Sequence, residues 1–272
     1  MARILFLSNG HGEDLSGALI GQALKQLDHQ VDSFPLVGHG YAYLEKGIKV
    51  IGETKEFSTG GLGYTSLSGR LTEIMQGQLF YLFGRLLCLF SVASNYDLLI
   101  VVGDVVPVIA AWLTRLSVVT YLVAYSSHYE GQLRLPWPCL NCLSSKRFLK
   151  IYTRDQFTAD DLKIQLRRNV DFLGNPFMDP IFKPQFALPR VKSRLGILPG
   201  SRRPELDENL LLILRVIELF SEMKLASTDI SFDMALVPAL VDEDLMHLVA
   251  FLGWGLRDSS TSDSSLQLVR ND

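Results

Sequence analysis

Arg3-Ile4-Leu5-Phe6-Leu7-Ser8-Asn9-Gly10-His11-Gly12-Glu13-Asp14 contains the change of pattern that decides the fold. Residues 3–8 are a short, nearly continuous apolar run, the pattern of a strand buried on both faces of a parallel sheet. Asn9-Gly10-His11-Gly12 turns the chain. Glu13 and Asp14 stand where a helix N-terminus favours acids. Leu15, Leu19, Ala23 and Leu27 follow four apart, which predicts the apolar stripe of a helix. Strand, glycine turn and helix, in that order, begin an α/β sheet.

The alternation continues outward from this unit. A second strand is predicted at 29–37 and a long helix at 70–93, with apolar residues at 71, 74, 75, 79, 82, 83, 86, 87 and 90. A buried strand at 97–103 leads to a helix at 107–115. Further strands are predicted at 118–124 and 151–153. Strands that alternate with helices build a parallel, doubly wound sheet. Pro176, Pro180, Pro184 and Pro189 then interrupt the pattern, four of the chain's 11 prolines. Proline lacks an N–H and restricts its predecessor, so this stretch reads as a linker. Beyond it the alternation restarts: strand 194–198, turn 199–204, helix 205–224, strand 230–237, helix 242–252. Residues 258–265 are all Ser, Thr or Asp and read as a loop, and 266–269 as a new strand. The expected organisation is an N-terminal domain at 1–175, a Pro-rich linker at 176–190 and a partial C-terminal domain at 191–272. Two βα units and the start of a third fall short of a complete nucleotide-binding domain, so the expectation is a fragment or truncated product.

Composition narrows the function. Of 272 residues, 48% are hydrophobic and 20% charged, which excludes intrinsic disorder. A net charge of −3 supplies no basic field for nucleic acid. Three cysteines do not staple a chain of this length, which points to a reducing, cytoplasmic setting. The greasiest stretches, 79–94 and 98–127, are broken by Arg85, Asp104 and Arg115 and read as buried elements.

Five places carry candidate chemistry, each with a plainer reading beside it. Leu198-Pro199-Gly200-Ser201-Arg202-Arg203-Pro204-Glu205 joins a strand to a helix through small residues. Free N–H groups and the dipole at a helix N-terminus bind anions, and an arginine can clamp phosphate; the alternative is a capped helix with two solvated arginines. In the first loop, Asn9, Gly10, His11, Gly12 and Asp14 suit sugar hydroxyls; the alternative is turn glycines with capping acids. Asp104 follows a buried strand, where ligands of open α/β sheets bind; it is either a general base or the cap of the next helix. Helix 70–93, apolar nearly all round at 79–90, is either core or an acyl-chain or membrane-surface element with Arg70 and Arg85 near lipid phosphates. Cys139 and Cys142 form a lone C-x-x-C without the further ligands zinc requires, leaving redox use or plain burial. The five histidines show no metal spacing.

Taken in order, the loop at 9–17, the segment Phe172-Leu173-Gly174-Asn175-Pro176-Phe177-Met178-Asp179 and the turn at 198–205 resemble lipid-A-disaccharide synthase, in its "related" branch. The resemblance runs along the whole chain. It implies a GT-B glycosyltransferase with two Rossmann-like, doubly wound lobes, the second incomplete. The implied reaction is inverting transfer of an acylated glucosamine from a UDP-sugar to a lipid-linked sugar, with no cofactor and no metal. Asp104 would be the base, Gly200, Ser201 and Arg202 would hold the donor diphosphate, and Asn9, Gly10, His11, Gly12 and Asp14 would hold the acceptor sugar. The implied place is the cytoplasmic face of a membrane, by peripheral contact. The first loop departs from the family's Gly-Glu-x-Ser-Gly-Asp, and Pro107 stands where a second acid is expected. Two other readings share the architecture: a UDP-sugar epimerase, and an inactive fragment that retains nucleotide or lipid binding.

Overall fold

The computed structural model describes residues 1–52, 54–55, 78–179, 193–200, 205–222, 230–236, 243–258 and 265–270. The chain divides into two compact units, Met1–Lys183 and Pro184–Asp272. Most of the Pro-rich stretch, residues 180–192, lies outside the described residues.

The first unit is built on a parallel sheet. Its elements are β1 (Arg3–Ser8), α1 (His11–Gln26), β2 (Gln30–Pro35), α2 (Tyr41–Glu45), β3 (Lys49–Val50), α3 (Gln78–Ala93), β4 (Leu98–Gly103), α4 (Val105–Thr114), β5 (Val118–Leu122), α5 (Ser127–Glu130), α6 (Cys139–Leu143), β6 (Phe148–Thr153), α7 (Gln156–Leu166) and β7 (Asp171–Phe172). The seven strands run in the order β3-β2-β1-β4-β5-β6-β7, and every pairing is parallel. The apolar runs split between two faces with the period of two that a strand imposes. Leu5, Leu7, Leu99 and Val101 enter one core layer. Ile4, Phe6, Ile100 and Val102 enter the other.

Helix α1 sits on the sheet by a face other than the one its leucines predict. Leu15, Ala23 and Leu27 are exposed, whereas Asp14, Gly17, Ala18 and Gly21 are buried. The helix approaches the sheet through small residues. A Cβ on Gly21 would stand 2.8 Å from Ile48 Cδ1 and 3.3 Å from Val31 Cγ1. Close approach of these small residues, with Ile20 and Leu24 packed beside them, fixes this helix.

The second unit carries β8 (Ser193–Ile197), α8 (Glu205–Glu222), β9 (Ile230–Ala235), α9 (Glu243–Phe251), β10 (Trp254–Asp258) and β11 (Ser265–Arg270). Strands β8 and β9 are parallel across α8, the start of a doubly wound sheet. Beyond them the direction changes: β11 lies antiparallel to β9 and β10 antiparallel to β11, in the order β10-β11-β9-β8. The sequence reading contained no strand at 254–258. Gly253, at φ +80°, turns the chain directly out of α9 into β10, and glycine is the residue that adopts this region without strain. Leu206, Leu210, Leu214 and Ile217 of α8 pack with Met234, Leu245, Val249 and Trp254 in a separate core.

Candidate functional site

The strand order reverses between β1 and β4, because the chain builds β2 and β3 to one side of β1 and β4 to β7 to the other. A crevice outside the carboxyl ends of the strands at such a switch point is the usual ligand site of an open α/β sheet. Two of the residues singled out in the sequence meet there. Asn9 follows β1 and Asp104 follows β4, 95 positions apart, and Asn9 Nδ2 donates to Asp104 Oδ2 at 3.0 Å.

Of the two roles left open for Asp104, the capping one is present in the geometry. Asp104 Oδ1 accepts the Val106 N–H at 2.8 Å, which caps α4. Burial pushes its carboxyl above the ordinary range, and the hydrogen bonds from Val106 and Asn9 pull it back in part. A carboxylate offers about four lone-pair sites, so two donors leave room to accept a proton.

Glu13 completes the local arrangement. Its Oε2 accepts the Asn9 N–H at 2.8 Å, a variant of the capping box in which the third helical residue reaches back over the start of the helix. Its carboxyl packs against Gly103. That glycine has φ +136°, and a Cβ on it would stand 2.5 Å from Glu13 Cδ. Tyr125 closes the other side. Its hydroxyl accepts the Val105 N–H at 3.2 Å. Burial pushes this phenol up, and the nearby charges of Asp104 and Glu13 add to the shift. Neither Glu13 as a ligand of the loop nor Tyr125 was singled out in the sequence. The Glu three residues into the helix was the available signal for the first; Tyr125 carried none.

Below the loop runs a buried chain of hydroxyls. Tyr43 Oη donates to Ser8 Oγ at 3.1 Å, and Ser8 Oγ donates to Asp14 Oδ1 at 2.5 Å. Burial raises the Tyr43 pKa well above its ordinary value, and the charge of Asp14 adds to it. Asp14 is 1% exposed, which places it under the loop as a support. The Asp14 N–H also donates to Gly10 O at 2.8 Å, closing the first turn of α1. A Cβ on Gly12 would meet nothing within 4 Å, so Gly12 borders open space. The backbone of His11 starts α1.

The remaining candidates fall elsewhere. Gly174, at φ +92°, presents its carbonyl to Tyr121 Oη at 2.7 Å, and Asn175 caps the turn Pro176–Met178. In the second unit Gly200 has φ +127° and lies beside the N-terminus of α8, near Leu206 N. Asn209 Nδ2 holds the turn by donating to Pro199 O at 2.9 Å. Ser201, Arg202 and Arg203 lie outside the described residues. Arg85 is 4% exposed. It donates to Pro35 O at 2.7 Å and lies 3.8 Å over the Phe34 ring. It is therefore an interior residue and not a surface partner for lipid phosphate; Arg70 lies outside the described residues. Cys139 and Cys142 are buried free thiols. Burial, then the charges of Cys142 and Asp104, push Cys139 up to about 12, which suits packing and not thiolate chemistry. No metal-binding group of His, Cys, Asp and Glu occurs among the described residues.

No protein-family model matches the chain, and no curated protein does. Solved structures do. A putative UDP-N-acetylglucosamine 2-epimerase from Listeria monocytogenes superposes with a TM-score of 0.57 at 11% identity, over 92% of this chain and 66% of that one. CalG4, the calicheamicin glycosyltransferase, gives 0.57 at 16% identity, over 90% and 68%. The glycotransferase of kitacinnamycin gives 0.55 at 15%, over 89% and 67%. The chain thus spans about two thirds of the length of these neighbours. At such identities the likeness is one of fold: the chain has the α/β fold of the GT-B glycosyltransferases, its seven-stranded parallel sheet lying in the first unit.

Proposed function

We propose that the chain belongs to a UDP-sugar-dependent glycosyltransferase that works by inverting transfer. The observation that carries this reading is the Asn9–Asp104 pair at the β1/β4 switch point, with its desolvated carboxylate. Asp104 takes the proton of an acceptor hydroxyl. The oxygen attacks the anomeric carbon, the bond from that carbon to the diphosphate breaks, and UDP leaves with the electron pair. Asn9 and the Val106 N–H orient the carboxylate. In the second unit, Gly200, Ser201 and Arg202 are the residues proposed to hold a donor diphosphate. Asn9, Gly10, His11 and Gly12 border the acceptor sugar, and Asp14 supports them. The scheme needs no metal.

The finer reading is a transferase like lipid-A-disaccharide synthase, with an acylated glucosamine donor and a lipid-linked acceptor. Helix α3 supports it. Phe80, Phe83, Leu87 and Phe90 follow at helical spacing on one face and are all exposed, Phe80 by 88%. An apolar stripe of this kind suits acyl chains or a membrane surface. The contact proposed here is peripheral; no helix among the described residues is long and apolar enough to cross a membrane.

The test is transfer of radiolabel from UDP-N-acetylglucosamine or its acylated form to a glycolipid acceptor, by the complete product of the gene. Asp104→Asn is expected to lower the rate by about 10²–10⁴, the usual worth of a general base. An unchanged rate overturns the assignment. The epimerase reading is favoured by the Listeria neighbour. It requires conversion of the UDP-sugar with no acceptor present, which chromatography of the nucleotide sugar reads directly.

A further inference from the structure

Exposed aromatic rings gather at the carboxyl ends of β5 and β6, beside the site but outside it. The loop after β5 carries Tyr125 and then the single turn α5, with His128 and Tyr129; Phe157 lies in the first turn of α7, after β6. The His128 ring stacks on Phe157, with centroids 5.7 Å apart and planes at 26°. Tyr129 meets His128 edge-on at 5.1 Å. The Arg154 guanidinium lies 5.6 Å over the Tyr129 ring. Tyr129 is nevertheless 78% exposed and Phe157 65%.

These rings are held firmly from below. Ser126 Oγ donates to Asp155 Oδ2 at 2.8 Å, and the Ser127 N–H donates to Thr158 Oγ1 at 2.8 Å. Asp161 accepts from Ser127 Oγ at 3.0 Å and from the Leu133 N–H at 2.6 Å. Burial alone would raise both carboxyls. Hydrogen bonds from Thr158 and Ser126 outweigh it at Asp155, and those from Gln165, Leu133 and Ser127 outweigh it at Asp161, so both lie below the ordinary range. The mount is thus charged and intact at neutral pH. A core would have buried such rings; rings that are fixed yet exposed, on a loop carried by a rigid sheet, mark a binding surface. The loop grows out of the site itself. Tyr125, whose hydroxyl accepts the N–H next to Asp104, is four residues from Tyr129, at most about 14 Å of extended chain.

We propose that His128, Tyr129 and Phe157 form a subsite for the acceptor sugar, taking the apolar C–H face of a hexopyranoside. The ring hydroxyls then stay at the edge, in water or toward Asp104. A flat aromatic surface matches the apolar face of a pyranose and leaves its equatorial hydroxyls solvated. The four-residue reach lets one ligand lie on the rings and present a hydroxyl at Asp104. The assignment deepens the transferase reading and rests on it.

The test is saturation-transfer NMR with methyl β-D-glucopyranoside as the probe, alongside a UDP titration of the same samples. The chain is expected to saturate the axial protons H1, H3 and H5 of the probe. Tyr129→Ala with Phe157→Ala is expected to lose that signal, Tyr129→Phe to keep it, and Phe251→Ala, an exposed aromatic of the second unit, to keep it too. Thermal melts check that each variant is folded. A signal that survives the double substitution overturns the subsite, as does absence of signal from the unmodified chain. UDP binding without probe binding overturns the subsite and leaves the transferase reading standing. Probe binding lost with the two rings, in a chain that does not bind UDP, supports the rings as a sugar site and leaves the UDP-sugar reading to the transfer assay.

Discussion

Gly17→Ala puts one methyl group into the buried support of the site, and its cost is calculable from the surroundings. Gly17 is an interior residue of α1 and faces Tyr43. A Cβ there would overlap Tyr43 Oη and stand 2.9 Å from Cζ and 3.2 Å from Cε1; an ordinary carbon contact is about 3.5–4.0 Å. The ring has little room to retreat. It is fully buried, tilted against Phe6 at 6.3 Å and bonded to Ser8. Overpacking of this kind costs about 1–3 kcal/mol. Loss of the Tyr43–Ser8 hydrogen bond adds about 1 kcal/mol. The better helix propensity of alanine returns about 1 kcal/mol. The net expectation is a loss of about 1–3 kcal/mol, a fall in Tm of roughly 2–12 °C for a unit of this size. Thermal unfolding by circular dichroism measures it. Tyr43→Phe alone is expected to cost about 1 kcal/mol. In the double variant the hydroxyl overlap is gone and only the Cζ contact remains, so its loss is expected to be smaller than the sum of the two. A higher Tm for Gly17→Ala, or simple additivity in the double variant, refutes the reasoning.

Other consequences can be measured in the same way. Asp104→Asn removes a buried carboxyl that burial holds above its ordinary range. The folded state therefore binds that proton more tightly than the unfolded state. Its contribution to stability is complete below the unfolded carboxylate range, near about pH 4, and is lost as pH rises through the folded value. Asparagine caps as well as aspartate, so the variant is expected to melt higher than the parent at pH 7–8 and to converge with it in acid; a constant offset across pH refutes this. Arg85→Met is expected to cost about 2 kcal/mol or more, because it strips charge-assisted bonds from Pro35 O and Ile51 O. Arg85→Lys is expected not to restore the loss, since lysine lacks the planar fork that lies on Phe34; full rescue in a urea melt counts against it. Cys139 and Cys142 are expected to resist a disulfide reagent at pH 8 until the protein is denatured, when all three cysteines react.

The strands were legible because burial on both faces leaves a direct mark, a continuous apolar run, as at 3–8, 98–103 and 118–122. Helix α1 was legible as a helix but not in its orientation. Leu15, Ala23 and Leu27 of its four-apart stripe face outward, and the packing face joins Ile20 and Leu24 to Gly17, Ala18 and Gly21, small residues that carry little hydrophobicity to read. Helix α7 was missed for a related reason: Gln156–Leu166 buries only Thr158, Ala159, Leu162 and Leu166, and its polar residues outweigh them. The hairpin β10–β11 was half seen, because Trp254–Asp258 is short and mixed in polarity. In the site, Asn9 and Asp104 each stood out by position after a strand. Their contact was not readable, since 95 residues separate them and only the order of strands brings the two loops together. Tyr125 was invisible because one tyrosine after a strand has no pattern.

The places where local rules are broken converge on the same few atoms. Gly103 holds φ +136° at the end of a buried strand. A second acid, Glu13, presses its carboxyl against that glycine. Asp104 is buried beyond what capping a helix demands, since a cap functions at the surface with an ordinary carboxylate. The buried carboxyl costs stability by itself, and a sequence selected for stability alone would relax it with asparagine at Asp104, whereas alanine at Gly103 would bring a Cβ within 2.5 Å of Glu13. Such inconsistencies are expected where a site, and not the fold, sets the residue. Here they share one physical result. The Gly103 backbone lets Glu13 close over the loop, Glu13 fixes the Asn9 backbone, and the Asn9 amide then holds one oxygen of Asp104 while the Val106 N–H holds the other. The carboxylate is oriented by two donors and made more basic by burial. Orientation and basicity are the two properties that a general base at a strand end requires, and a helix cap requires neither the Asn9 contact nor the burial.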